Sequence, residues 1–184
     1  AGGALEFDKD GNLYLAKGDN TNPFDSGGYS PIDERPGSAA WDAQRTSANS
    51  NSLMGKVLRI KPRPEGGYTI PDGNLFDEAL DTEDKTRPEI YAMGFRNPFR
   101  IGLDEQNNNL LVADYGPDAG QVSATRGPNG RVEWNILAEP GFYGWPYCVG
   151  NNTPYNDYNF ASSTAGATFD CANPVNDSPN HTGD

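Results

Sequence analysis

The stretch ALEFDKDGNLYLAKGD, residues 4–19, sets two short runs of alternating apolar character on either side of Asp10-Gly11. Asp-Gly adopts the left-handed backbone of a tight turn at little cost, so the stretch reads as a β-hairpin. Asp8, Asp10 and Asn12 also match the opening of a helix-loop-helix calcium loop. Such a loop is closed by a Glu about twelve residues after it begins and is flanked by helices, and this stretch offers neither. The order of strand, Asp-led polar turn, apolar strand and glycine returns in GLDEQNNNLLVADYG, residues 102–116, at an offset of about 96 residues. A strand unit repeated with long inserts on one side is the pattern of a β-propeller blade. Chance likeness of two hairpins is the alternative that so short an echo leaves open.

Outward from the hairpin, strands are expected at 56–63 (KVLRIKPR), 68–70, 89–95 (EIYAMGF), 99–104 (FRIGLD), 110–114 (LLVAD) and 132–137 (VEWNIL). No stretch repeats apolar residues at helical spacing for three turns, and 22 Gly and 15 Pro punctuate the 184 residues. An all-β protein with long loops follows. Residues 20–52 are too polar to build a core, and an excursion of that length is usually functional. After 137 comes GFYGWPY (141–147), then a polar tail with little sign of regular structure.

The formal net charge of −12 and pI near 4.4 would repel a phosphate backbone or an anionic membrane, so neither nucleic acid nor membrane is an expected partner. The acidity serves solubility and also suits a calcium-rich medium. Cys148 and Cys171 bracket a loop-rich region. A disulfide there would contribute about 3 kcal/mol on the chain-entropy estimate and points to an oxidising compartment. Two unrelated buried thiols are the alternative. No signal peptide opens the chain and no apolar run is long enough for a membrane span, as expected of a mature or excised segment.

Few residues are suited to nucleophilic catalysis. His181, the only histidine, lies in the polar tail without an evident triad partner, and no zinc spacing or phosphate-cradling glycine loop is present. Gly94-Phe95-Arg96-Asn97-Pro98 sets a permanent cation and an amide at a strand end, where an Arg fork can grip a carboxylate or simply brace a turn. Asp114-Tyr115-Gly116-Pro117-Asp118 ends a strand in a turn whose carbonyls lack ladder partners. Such oxygens, beside carboxylates, are the hard ligands calcium takes, although an ordinary turn accounts for them as well.

Six ordered motifs, GGALEFDKDGNLYLAKGD, MGKVLRIKP, EIYAMGFRNPFRIGLD, LLVADYGPD, VEWN and YGWP, resemble the glucose/sorbosone dehydrogenase family from Ala1 to about Gly150. The family fold is a six-bladed β-propeller of the quinoprotein type, so the resemblance implies about two blades here. Residues 1–150 would form the partial propeller and 151–184 a loop-rich extension tied back by the Cys148–Cys171 bridge. The tail is similar to versions of the family in secreted multi-domain actinobacterial proteins. The resemblance implies pyrroloquinoline quinone and calcium as cofactors. Arg96 and Asn97 match the pair that contacts the quinone, and Gly116 and Pro117 match the carbonyls that hold the active-site calcium. Asp19 matches the Asp that orients the catalytic histidine. Tyr115 stands at a cofactor position where the glucose enzyme has Gln. Val149 and Asn151 fall where carbonyls bind a second calcium, but Thr153 stands where that site wants an Asp.

By the same resemblance the catalytic histidine falls immediately before Ala1, and the basic residues completing the cofactor site fall in later blades. The expected function is therefore part of a quinone-dependent dehydrogenase for a sugar or sugar-like molecule, exported from a bacterial cell to the periplasm or medium. The competing reading is a non-catalytic calcium- or carbohydrate-binding module, with Tyr29, Trp41 and Tyr155 as surface rings for sugar stacking. Two blades leave open sheet edges, so remaining blades or further copies of the chain are expected against the apolar residues of 13–15, 57–60 and 110–112.

Overall fold

The computed structural model describes residues 2–181; Ala1, where the motif resemblance begins, and residues 182–184 lie outside the described residues. Strands β1 (Gly2–Phe7) and β2 (Leu13–Lys17) form the expected hairpin, with Phe7 opposite Leu13. Asp8 closes its turn: Oδ1 accepts from the Asp10 and Asn12 amides at 3.0 and 2.8 Å, and Oδ2 accepts from Asn12 Nδ2 at 2.8 Å. That carboxylate is spent inside the turn, as a hairpin reading requires. Strand β3 (Lys56–Pro62) pairs with β2, the two-residue β4 (Tyr68–Thr69) pairs with the far end of β3, and β5 (Ile90–Met93) pairs with its near end. The order β1-β2-β3-β5 is thus a four-stranded antiparallel blade.

A second sheet follows from β6 (Pro98–Asp104), β7 (Asn109–Asp114) and β8 (Glu133–Leu137). Its first turn repeats the device of the first blade. Asp104 Oδ1 accepts from the Gln106 and Asn107 amides, and Oδ2 accepts from Asn107 Nδ2 at 2.7 Å. The sequence echo therefore has one physical cause, an Asp that ties down the turn of each blade's first hairpin. Strand β9 (Gly141–Phe142) returns to run parallel to β5. The architecture is an all-β partial propeller of about two blades with long loops.

The core fills the space between the blades with Tyr14, Ala16, Val57, Tyr91, Phe95, Ile101, Leu110, Val112 and Leu137. Within the segments expected to be buried, Leu13, Leu15, Ile60 and Leu111 are only half-buried. The outward faces are bare: Leu5 and Phe7 on β1, and Trp134 and Ile136 on β8, at 76% and 66% exposure. On β8 these side chains alternate with inward ones, the period-two pattern of a strand with one apolar face uncovered.

The excursion of residues 20–52 carries three short 3-10 turns and is pinned from below by Lys56. That residue is fully buried, and its ammonium donates to the carbonyls of Thr46, Ser47 and Met54 at 2.8–2.9 Å. The tail has more order than its composition indicates. Strands β10 (Cys148–Val149) and β11 (Thr153–Pro154) form one hairpin, and β12 (Asn156–Asn159) and β13 (Thr164–Thr168) another. All five residues of β13 are exposed, so no apolar alternation marks it in sequence. Cys148 and Cys171 are joined. Asn176 and Ser178 then bond back onto the excursion, at Gln44 O and Asp42 Oδ2. One surface aromatic is corrected: Tyr155 is wholly buried, edge-on to Trp145, because the tail folds over it. Tyr29 and Trp41 are half-buried.

Candidate active site at the strand ends

Antiparallel register brings several strand ends to one rim. Lys17 pairs with Lys56 and Lys56 with Met93, while Asp114 pairs with both Pro98 and Glu133. Asp19 follows β2, Arg96 and Asn97 link β5 to β6, and Tyr115, Gly116 and Pro117 follow β7. Backbone bonds lace these segments together: the Asp19 amide donates to Arg96 O at 2.9 Å and the Tyr115 amide to Asn97 O at 3.0 Å. Asp19, Arg96, Asn97 and Tyr115, with Thr21, Pro23 and Asp118, line one pocket of about 300 Å³. A larger groove of about 520 Å³ under β12–β13 and an acidic cleft of about 200 Å³ between the two Asp-tied turns hold none of the expected site residues.

Asp19 is buried; its Oδ1 accepts from the Thr21 amide at 3.1 Å and its Oδ2 from Trp145 Nε1 at 2.9 Å. Burial raises its pKa, against which those two bonds and the Arg96 charge work. Asp114 holds the Arg-Asn link in place by accepting from the Arg96 and Asn97 amides at 3.0 and 2.6 Å. Burial pushes its pKa up to about 7 despite both bonds, and the Glu133 and Asp19 charges add to the rise. Burial also raises Glu133, which accepts from the Gly150 amide at 2.6 Å. Burial thus raises the Asp19, Asp114 and Glu133 carboxyls alike, and an added cation beside them would favour their ionised forms.

The Arg96 side chain lies on the expected face: NH1 donates to Gly116 O at 2.9 Å and to Tyr115 O at 3.3 Å. Asn97 Oδ1 is buried without a hydrogen-bond partner, an acceptor left over for a ligand. Pro117 O lies against Gly130, where a Cβ would come within 1.6 Å of it, so only glycine fits there. Val149 is buried in β10, and Asn151 is exposed in the turn that follows. Among the described residues no three His, Cys, Asp or Glu side chains gather as a metal cluster. A calcium ion at the rim would rely on carbonyls and single carboxylates: Gly116 and Tyr115 turn their carbonyls to the Arg96 cation and Asp118 lines the pocket, whereas Pro117 O lies against Gly130.

Two contacts escape sequence reasoning, that of Asp114 with the Arg96-Asn97 link and that of Trp145 with Asp19. Asp114 ends an apolar strand, which is the one local sign of a carboxylate facing inward. Trp145 meets Asp19 across 126 residues, and no local pattern records that meeting.

A family model described as Glucose / Sorbosone dehydrogenase matches residues 1–176, past the end of the motif resemblance. The chain is 31% identical over 186 aligned residues to the HIPL2 protein of Arabidopsis thaliana, covering 91% of this chain and 22% of that protein. It is 30% identical to the aldose sugar dehydrogenase YliI of Escherichia coli, covering 79% and 28%. Among solved structures, a glucose dehydrogenase superposes with a TM-score of 0.52 at 26% identity over 80% of this chain and 32% of that one. The soluble aldose sugar dehydrogenase of Escherichia coli in its apo-form superposes with a TM-score of 0.52 at 26% identity over 89% and 34%. The chain spans about a fifth to a third of the length of these relatives.

Proposed function

The chain belongs to the glucose/sorbosone dehydrogenase family, and we propose that it carries the cation-side half of a sugar dehydrogenase site using pyrroloquinoline quinone and calcium. The observation that supports this most is the convergence of Asp19, Arg96, Asn97 and Tyr115 on one pocket. When bound, the quinone supplies a two-electron acceptor for the hydride of a sugar alcohol, and calcium supplies a Lewis acid. Arg96 offers the pocket a permanent cation for a carboxylate or a developing negative charge. Asn97 Oδ1 offers a buried acceptor. Thr21 and Trp145 fix Asp19 so that its carboxylate can orient a neighbouring base. Because Gly2 pairs with Lys17, a histidine immediately before Ala1 would fall toward Asp19, which follows β2, and could there take the hydroxyl proton. The Cys148–Cys171 bridge supports action in an oxidising compartment, the periplasm or the medium.

The test is reconstitution of the purified native protein with pyrroloquinoline quinone, with and without calcium, followed by quinone absorbance and by dye reduction with aldoses. A calcium-dependent spectral change, lost in Arg96→Ala, is the expected result. Calcium or sugar binding with no quinone spectral change would replace this reading with the binding-module one.

A further inference from the structure

The cation and the carbonyl that the proposed calcium site needs are already bonded to each other. Arg96 NH1 sits 2.9 Å from Gly116 O and 3.3 Å from Tyr115 O, which places a positive charge where a calcium ion on Gly116 would stand. Two cations on that oxygen compete: calcium ligands lie at about 2.3–2.6 Å, and a guanidinium at hydrogen-bond distance would repel the ion at close range. The Arg96 backbone is anchored through its amide to Asp114 and its carbonyl to the Asp19 amide. Only the side chain is free to give way. Its remaining donors make no further hydrogen bond among the described residues, and the pocket they border holds Asp19 and Asp118.

We infer that Arg96 is a stand-in cation, which neutralises the Gly116 and Tyr115 carbonyls until calcium displaces it and then turns its guanidinium into the pocket to meet an anionic ligand. This rests on the reading of Gly116 as a calcium ligand. It assigns Arg96 a positioning role before any quinone contact and makes metal and quinone binding interdependent. Calcium alone must break the charge-assisted bonds of Arg96. A quinone bearing carboxylates gives the released guanidinium a partner, so each ligand tightens the other by the same factor. Bonds of this kind correspond to roughly a tenfold to hundredfold change in an equilibrium constant.

The test is calcium titration calorimetry on the native protein and on Arg96→Met, without quinone and then with saturating pyrroloquinoline quinone. Arg96→Met is expected to bind calcium alone about tenfold or more tightly than the unaltered protein, and quinone is expected to tighten calcium by a larger factor in the unaltered protein than in the variant. Equal or weaker calcium binding by Arg96→Met overturns the stand-in role while leaving the calcium site in place. Calcium binding by neither protein overturns the calcium reading itself, and the inference with it. A second measurement needs no variant: peptide mapping after phenylglyoxal treatment should show Arg96 modified faster when calcium is added without quinone. A rate that stays constant or falls while calcium binds overturns the displacement.

Discussion

Replacing Asp114 by Asn should reverse the order of stability of variant and native protein between acid and mildly alkaline pH. Asp114 has a folded pKa of about 7, against an ordinary value of 3.8. A carboxyl raised in the folded state binds its proton more tightly there than when unfolded, so ν_U − ν_N is negative and stability falls as pH rises. The stability is fully present below about pH 4 and is lost through pH 7, at about 1.4 kcal/mol per unit, hence about 4 kcal/mol in all. Asn carries no charge and removes that slope. It also turns one acceptor into a donor facing the Arg96 or Asn97 amide, at a cost of about 1–2 kcal/mol at every pH. The variant should therefore be less stable than the native protein at pH 4 by about 1–2 kcal/mol and more stable at pH 8 by about 2 kcal/mol. Urea unfolding followed by tryptophan fluorescence, with chelator present, measures both curves. Parallel curves from pH 4 to 8, or a variant that is the less stable at pH 8, would refute the idea that burial controls this carboxylate.

Three further outcomes follow from the structure. Mass spectrometry without reductant should find no alkylatable thiol, and Cys171→Ser should cost about 3 kcal/mol on the loop-entropy estimate; an unchanged unfolding midpoint would remove the bridge from the account of stability. Trp145→Phe keeps most of the ring packing on Tyr155 but takes the indole donor from Asp19, so stability should fall by about 1.5–3 kcal/mol in urea unfolding. An unchanged unfolding midpoint in that variant would show that Asp19 needs no such brace. Residues 1–184 produced alone should self-associate in light scattering through the bare faces of Leu5, Phe7, Trp134 and Ile136, and Trp134→Ser/Ile136→Ser should reduce that association. A monodisperse monomer that unfolds cooperatively would show that the chain closes its own core.

Short stretches of sequence were enough to read the strands from β1 to β8, the two Asp-tied hairpins and the strand-end motifs around Arg96 and Gly116. Each of these is recorded within a few residues, as period-two alternation or as an Asp that closes its own turn, and local energetics suffice to read it. The short strands of the tail escaped because β13 is exposed throughout and so carries no apolar alternation. Tyr155 was legible as an aromatic near a loop, but its burial depended on where the tail came to rest. At the site, sequence supplied the residue types and tertiary structure supplied their relations. The contacts of Arg96 with Gly116 O, of Asp114 with the Arg-Asn link and of Trp145 with Asp19 span 17 to 126 positions. Such contacts depend on strand register and on the packing of one blade against the next. The same packing takes water away from Asp114, and desolvation, which no stretch of neighbouring residues encodes, moves its pKa from that of a surface carboxylate to about 7.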